Sequence, residues 1–223
     1  MDGHANWQIG FRDVITYLGT QGYSKGELYT YTWGPADILK ASLQKHDRKY
    51  VLLARAFIEA VLAYTGAEQV SVASHSMGVT IARKALKGGT AIDEDGSYEL
   101  GPSLKAKVHT FVGIAGGNLG LTACFDQFAL PTCNLVNGFN PGVTPLSHPS
   151  KYLHELEKDS GAEAHNVYSV WSAFDEVIGG GCVVWGKITC RMATQQAEIV
   201  KNTPEWTHLA LRNKIGPDLI KLL

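Results

Sequence analysis

Several things are missing from this chain of 223 residues, and each absence removes a class of function. No apolar run approaches the roughly 20 residues that a bilayer-spanning helix needs; no signal peptide opens the sequence either, but its start is not expected to be the natural one, so that absence removes nothing. Neither charge sign is in excess. Lys and Arg number 20 against 21 Asp and Glu, a net charge of −1, so there is no basic footprint for nucleic acid. Internal repeats, linkers and low-complexity tracts are absent, which removes solenoids and arrays. Cysteine is scarce: four residues, in two close pairs. Neither pair is Cys-x2-Cys and no histidine stands close by in the chain, so the spacing is not that of a zinc site. Short loops favour local pairing, and Cys124–Cys133 and Cys182–Cys190 are the expected disulfides. Two such staples point to an oxidising compartment; four reduced thiols in a cytosolic protein are the alternative.

The remaining composition, 45% hydrophobic and 18% charged, is that of a globular chain. Its length supports one α/β domain over residues 1–223. Strand-like and helix-like segments alternate throughout, which predicts a mostly parallel sheet with helices on both faces. The spacing predicts helices over 7–19, 49–64, 77–87 and 152–158, and a last one over 209–223 broken near Gly216-Pro217. In the second helix, Leu53, Phe57, Val61 and Tyr64 form the expected apolar face, with Arg55 and Glu59 outside at i,i+4. Strands are expected over 28–32, 69–73, 107–115, 166–172 and 197–200. Gly88 to Pro102 reads as a turn-rich acidic surface loop, and Leu119 to Pro149 as a long irregular segment of the kind that usually carries function.

The chain turns most sharply at Ser76. Gln69 to Ala73 is alternating and β-branched; Met77 to Lys87 has no helix breaker. Strand and helix backbones crowd at such a turn, so small residues are needed two before and two after it, and Ser74 and Gly78 occupy those places. This is the pattern of a nucleophile elbow, which lifts the Ser76 hydroxyl above the sheet edge and aims the Met77 N–H at the same point. The competing reading is an idle serine on a strand–turn–helix.

Open parallel sheets carry their functional loops at the carboxyl ends of the strands, and Ser76, Asp175 and His208 all stand there in the order Ser, Asp, His. A serine hydroxyl is a weak nucleophile until an imidazole takes its proton. The imidazole in turn needs a carboxylate to fix its tautomer. Glu176, beside Asp175, is the alternative acid. Of the eight histidines, His75 lies inside the elbow and points elsewhere, and His109 is mid-strand and expected to be half-buried. His148, His154 and His165 precede Asp175 and break the order, which leaves His208 as the base.

With those residues stated, the chain resembles the class 2 lipases, secreted triacylglycerol lipases of the α/β-hydrolase fold. The matching pieces are Gly22-Tyr23-Ser24 with Thr32-Trp33-Gly34, His75-Ser76-Met77-Gly78, Phe111 to Gly116, Val167-Tyr168-Ser169, Asp175 to Gly179 and His208. The resemblance implies Ser76 as nucleophile, Asp175 as acid, His208 as base and the Met77 N–H as an oxyanion donor. It implies hydrolysis of lipid carboxylic esters by a secreted monomer at an oil–water interface, without metal or cofactor. A non-catalytic lipase-like binding protein, an acyltransferase and a carboxylesterase for soluble esters are the rival functions.

The departure lies at the front. The family's first core strand and its His-Gly loop, source of a second oxyanion donor, are not found before Trp7. The resemblance therefore implies a sequence truncated at its start, with a gap in the sheet between 28–32 and 69–73. Phe125, Phe128 and Leu130, inside the first stapled loop, are expected to border the acyl pocket.

Overall fold

Four segments rich in Val, Ile and aromatic residues form a parallel sheet: β1 (Val70–His75), β4 (Val108–Ile114), β5 (Asn166–Ser172) and β8 (Ala197–Lys201), adjacent in that order. The computed structural model describes residues 10–35 and 37–223. All three pairings are parallel, with one irregularity in β1 between Val70 and Val72. Two antiparallel hairpins stand apart from this sheet, β2 (Thr90–Asp93) with β3 (Gly96–Glu99), and β6 (Val183–Val184) with β7 (Lys187–Ile188).

Helices cover both faces. On one side, α2 (Arg48–Thr65), α3 (Met77–Lys87) and α4 (Lys151–Lys158) set Val51, Ile58, Ile81, Leu86 and Leu153 against Phe111 and Val167. On the other, α1 (Arg12–Thr20), α5 (His208–Lys214) and α6 (Gly216–Leu222) set Val14, Leu18, Leu211 and Leu219 against Val112, Ile114 and Val170. Successive strand residues thus feed opposite cores, as the two-residue period of a strand requires. The mostly parallel sheet with helices on both faces is the expected α/β-hydrolase architecture.

Charge is buried as well as apolar surface. Arg83 of α3 has no exposed side chain; its Nε donates to Glu163 Oε1 at 2.7 Å and its Nη1 to Asn118 Oδ1 at 2.9 Å, and it also pairs with Glu157. These bonds tie α3 to α4 and to the segment leaving β4.

Several sequence expectations need correction. Residues 28–32 do not form a strand: Thr32 makes an isolated bridge, and among the described residues β1 is the end of the sheet. Alternation alone does not hold a strand without a neighbour to accept its backbone bonds. This segment packs instead on α2, Tyr31 against Phe57 with ring centroids 4.4 Å apart. Between it and β1 runs a groove of about 440 Å³, lined by Leu28, Tyr29, Phe57, Val61 and Val70 among others. Of the expected apolar stripe of α2, Phe57 and Val61 line that groove and Leu53 and Tyr64 are exposed; the buried face is Val51, Ala54, Arg55 and Ile58. Arg55 is inside, not outside: it bonds Glu59 at 2.9 Å and the Ala85 carbonyl at 3.1 Å. Residues 88–102 are not a plain surface loop but hold the β2–β3 hairpin, whose Ala91 and Tyr98 reach the core. Its turn at Glu94-Asp95, followed by Gly96 at a positive φ, is a hairpin signal that the acidic composition masked. His109 is exposed rather than half-buried, because it stands at the start of β4, near the sheet's end. The first helix is described from Arg12; the expectations for residues 1–9, including the front loop and its oxyanion donor, lie outside the described residues.

Candidate active site

Ser76 stands between β1 and α3 with φ 57° and ψ −133°. A positive φ is unfavourable for a side chain with a Cβ and persists only where the surroundings enforce it. Here the Ser76 N–H donates to the Ile114 carbonyl at 2.9 Å, and its carbonyl accepts from Val79 N at 2.9 Å. The neighbouring strand must come close. Gly113 pairs with Ser74, and a Cβ on it would stand 2.9 Å from Met192 Cε and 3.0 Å from Val79 Cγ1. The turn spends no side-chain bond on capping α3, so the Ser76 hydroxyl is available elsewhere. Met77 opens the helix, and the first N–H groups of a helix have no partner within it.

His208 opens α5 after β8, and Asp175 follows β5. The structure brings all three side chains together. His208 Nε2 is 3.0 Å from Ser76 Oγ, and His208 Nδ1 is 2.8 Å from Asp175 Oδ2. A carboxylate only accepts, so Nδ1 carries the hydrogen; in the neutral ring Nε2 is then bare and the serine O–H donates to it. Asp175 Oδ1 accepts from the N–H groups of Val177 at 3.0 Å and Ile178 at 2.8 Å. Burial pushes the Asp175 carboxyl up. The His208 hydrogen bond and charge, with those two N–H groups, outweigh it and hold the group below the usual carboxylate range. All three side chains are nearly closed off, at 3%, 2% and 1% exposure for Ser76, Asp175 and His208.

Of the two acids weighed from sequence, Asp175 meets the ring. Glu176 meets the backbone instead, its Oε2 accepting from His208 N at 2.9 Å. His75 does not reach the serine; its ring lies 4.4 Å from that of His208 and its Nε2 is 3.0 Å from the His208 carbonyl oxygen. Sequence reasoning missed both contacts. The available signal was adjacency, since each residue is the chain neighbour of a triad member. His148 and His154 stack on each other, with centroids 4.0 Å apart.

The two cysteine pairs are bonded as expected, with Cα–Cα separations of 4.9 Å for Cys124–Cys133 and 5.7 Å for Cys182–Cys190. The loops they staple meet. Phe125 packs edge-on against Trp185 at 5.1 Å, and Thr122 Oγ1 donates to the Val183 carbonyl at 2.9 Å. Phe125, Phe128, Leu130, Val183 and Trp185 are all more than a third exposed, an unusual concentration of apolar surface. Among the described residues, no three His, Cys, Asp or Glu side chains group so as to hold a metal, and no helix is long and apolar enough to cross a membrane.

The comparisons with known proteins agree on the fold. The crystal structure of Aspergillus fumigatus lipase B is similar over 81% of this chain and 42% of that one, with a TM-score of 0.54 at 16% identity. The chain thus spans less than half of that protein's length, and at this identity the likeness speaks for the fold alone. No curated protein matches the chain in sequence. The family model of class 2 lipases matches residues 2–214, a range that holds Ser76, Asp175 and His208, and the chain belongs to that family.

Proposed function

We propose that this protein hydrolyses carboxylic esters of lipids through a covalent acyl-enzyme on Ser76, as part of lipid breakdown. The observation that carries this reading is the hydrogen-bonded run from Asp175 through His208 to a serine held at a positive-φ turn. Family membership supports an ester hydrolase of lipids in general. The serine chemistry is argued from the geometry.

In that chemistry His208 takes the Ser76 proton at Nε2 as Oγ attacks the ester carbonyl carbon. The resulting imidazolium is stabilised by Asp175 across a 2.8 Å bond. Negative charge gathers on the former carbonyl oxygen, and we assign the Met77 N–H, at the start of α3, the role of receiving it. A donor of this kind is often worth about 3 kcal/mol in the transition state. His208 then protonates the departing alcohol, which leaves the acyl group on Ser76. A water molecule, activated by the same Nε2, attacks the acyl-enzyme and releases the fatty acid.

Ser76 is 3% exposed, so substrate reaches it only when covering side chains part. We assign that access to the irregular segment after β4, whose Phe125, Phe128 and Leu130 offer the apolar surface a lipid needs. The two disulfides support an extracellular location. The test is hydrolysis of tributyrin and long-chain triacylglycerol above and below their solubility limits, with Ser76→Ala as control. Turnover that rises on emulsions and vanishes in the variant supports a lipase. Turnover confined to dissolved esters reduces the reading to a carboxylesterase, and turnover that survives Ser76→Ala refutes it.

A further inference from the structure

We propose that Glu176 and His75 are positioning residues for His208, gripping its backbone from both sides. The proposal rests on the reading of Ser76, His208 and Asp175 as the reacting set. His208 faces a particular mechanical problem. Its two partners stand at the ends of sheet strands, whereas His208 itself follows the loop after β8 and opens a seven-residue helix. Side chains built on loops are held less accurately than those on strands, and a misplacement of about 1 Å can cost 100-fold in rate.

The structure answers with two bonds to the His208 main chain. Thr207 caps α5 through the Ala210 N–H at 3.3 Å, which leaves the His208 N–H needing an acceptor, and Glu176 Oε2 supplies it at 2.9 Å. On the other side, a carbonyl oxygen only accepts, so His75 Nε2 carries a hydrogen and donates it to the His208 carbonyl at 3.0 Å. The His75 ring also lies against the His208 imidazole at 49°, which limits how that ring turns.

The pattern is symmetrical in the chain. His75 precedes the nucleophile and Glu176 follows the acid. His208 is therefore bonded twice to each partner's segment, once by its ring and once by its backbone. A shift of the 202–207 loop that would lengthen the Nε2–Oγ contact must break a bond to β1 or to the turn after β5. Glu176 is itself exposed, so its contact adds little to the core and its reason for being there lies in what it holds.

The experiment measures kcat and KM on a soluble nitrophenyl ester for Glu176→Leu, Glu176→Gln, His75→Phe and His75→Gln, with thermal melting of each. Glu176→Leu and His75→Phe remove a bond but keep bulk, and each is expected to lower kcat by roughly 10–100-fold with KM unchanged. The glutamine variants keep an acceptor or a donor at the same reach and are expected to restore most of that loss. A folded Glu176→Leu with wild-type kcat overturns the proposal, as does a loss that glutamine does not recover or that simply follows the folded fraction. Because Glu176 is exposed, its variants decide the matter if His75→Phe does not fold. Ser76→Ala separates the two levels. If the wild type has no Ser76-dependent activity, the functional reading fails. If that activity is present and indifferent to Glu176 and His75, only the positioning role fails.

Discussion

Two buried histidines face two hydroxyls on the same stretch of chain, and only one pair makes chemical sense as a catalyst. His208 Nε2 lies 3.0 Å from Ser76 Oγ; His46 Nε2 lies 2.7 Å from Thr80 Oγ1, one helical turn further on. Both rings are bonded at both nitrogens and both are almost fully buried. They differ in what holds Nδ1. For His208 it is the Asp175 carboxylate, and for His46 the backbone carbonyl of Asn137 at 2.7 Å. Burial pushes the His46 pKa down to about 4, only partly opposed by the Asn137 bond, so this ring stays neutral and cannot keep a proton taken from a hydroxyl. Its ring is sandwiched on Tyr152 at 4.3 Å and meets Phe139 at 4.8 Å. The hydroxyls differ too. Thr80 sits on regular helix, its one O–H shared between the His46 ring nitrogen and the Met77 carbonyl oxygen 3.0 Å away, whereas Ser76 sits at the positive-φ turn. A close histidine–hydroxyl contact is here a packing device unless a carboxylate and a positive-φ turn accompany it.

Mutation should break this comparison on one side only. The largest effect is expected for Ser76→Ala, a fall in kcat of roughly 10⁶-fold on a nitrophenyl ester, while Thr80→Val keeps the wild-type order of activity; steady-state rates of the two variants check this. Asp175→Asn should follow with a loss of about 10⁴-fold, because the amide favours the wrong tautomer of His208. The loss should appear in kcat measured at the optimum pH.

The His46 pair should instead show itself in stability. His46 has its pKa lowered from 6.5 to about 4 on folding, so the unfolded chain binds the extra proton between those values. Stability is fully present above pH 6.5 and declines as pH falls toward 4, by about 3 kcal/mol at 1.36 kcal/mol per pH unit. Melting curves from pH 7 to pH 4 should slope less for His46→Gln than for the wild type. Asp175, with a lowered pKa, adds stability above the ordinary carboxylate range that is lost only at still lower pH. The smallest effect is expected for replacing Phe125, Phe128 and Leu130 together by Ser. Rates on emulsified triacylglycerol should drop several-fold more than rates on dissolved ester; an equal drop on both would remove this surface from lipid contact.

The elements nearest the triad were the easiest to read from sequence, and for a physical reason. Ser76 to Lys87 and Asn166 to Ser172 carry strong local signals, a breaker-free helix and a β-branched run, and the observed bounds of α3 and β5 agree with them. The pairing of neighbouring cysteines is likewise local. What failed was non-local. Whether Leu28 to Thr32 becomes a strand depends on a neighbour, not on its own alternation, and which side of α2 is buried depends on where α3 packs, far away in the chain. His46 and Thr80 are 34 residues apart, and nothing in either neighbourhood announces their contact. Glu176 and His75 were visible as neighbours of triad members, but the backbone groups they hold belong to a residue more than 30 positions away.

The central claim is that Ser76, and not another buried hydroxyl, becomes acylated. A fluorophosphonate gives an activated serine a P–O bond as its P–F bond breaks and fluoride leaves, and the phosphonyl adduct goes no further, so intact-mass and peptide mass spectrometry read the nucleophile directly. The account predicts one adduct per chain, on the peptide holding Ser76, absent in Ser76→Ala and retained in Thr80→Val and His46→Gln. A wild-type protein that folds and takes no label, or a label that survives Ser76→Ala, would contradict it.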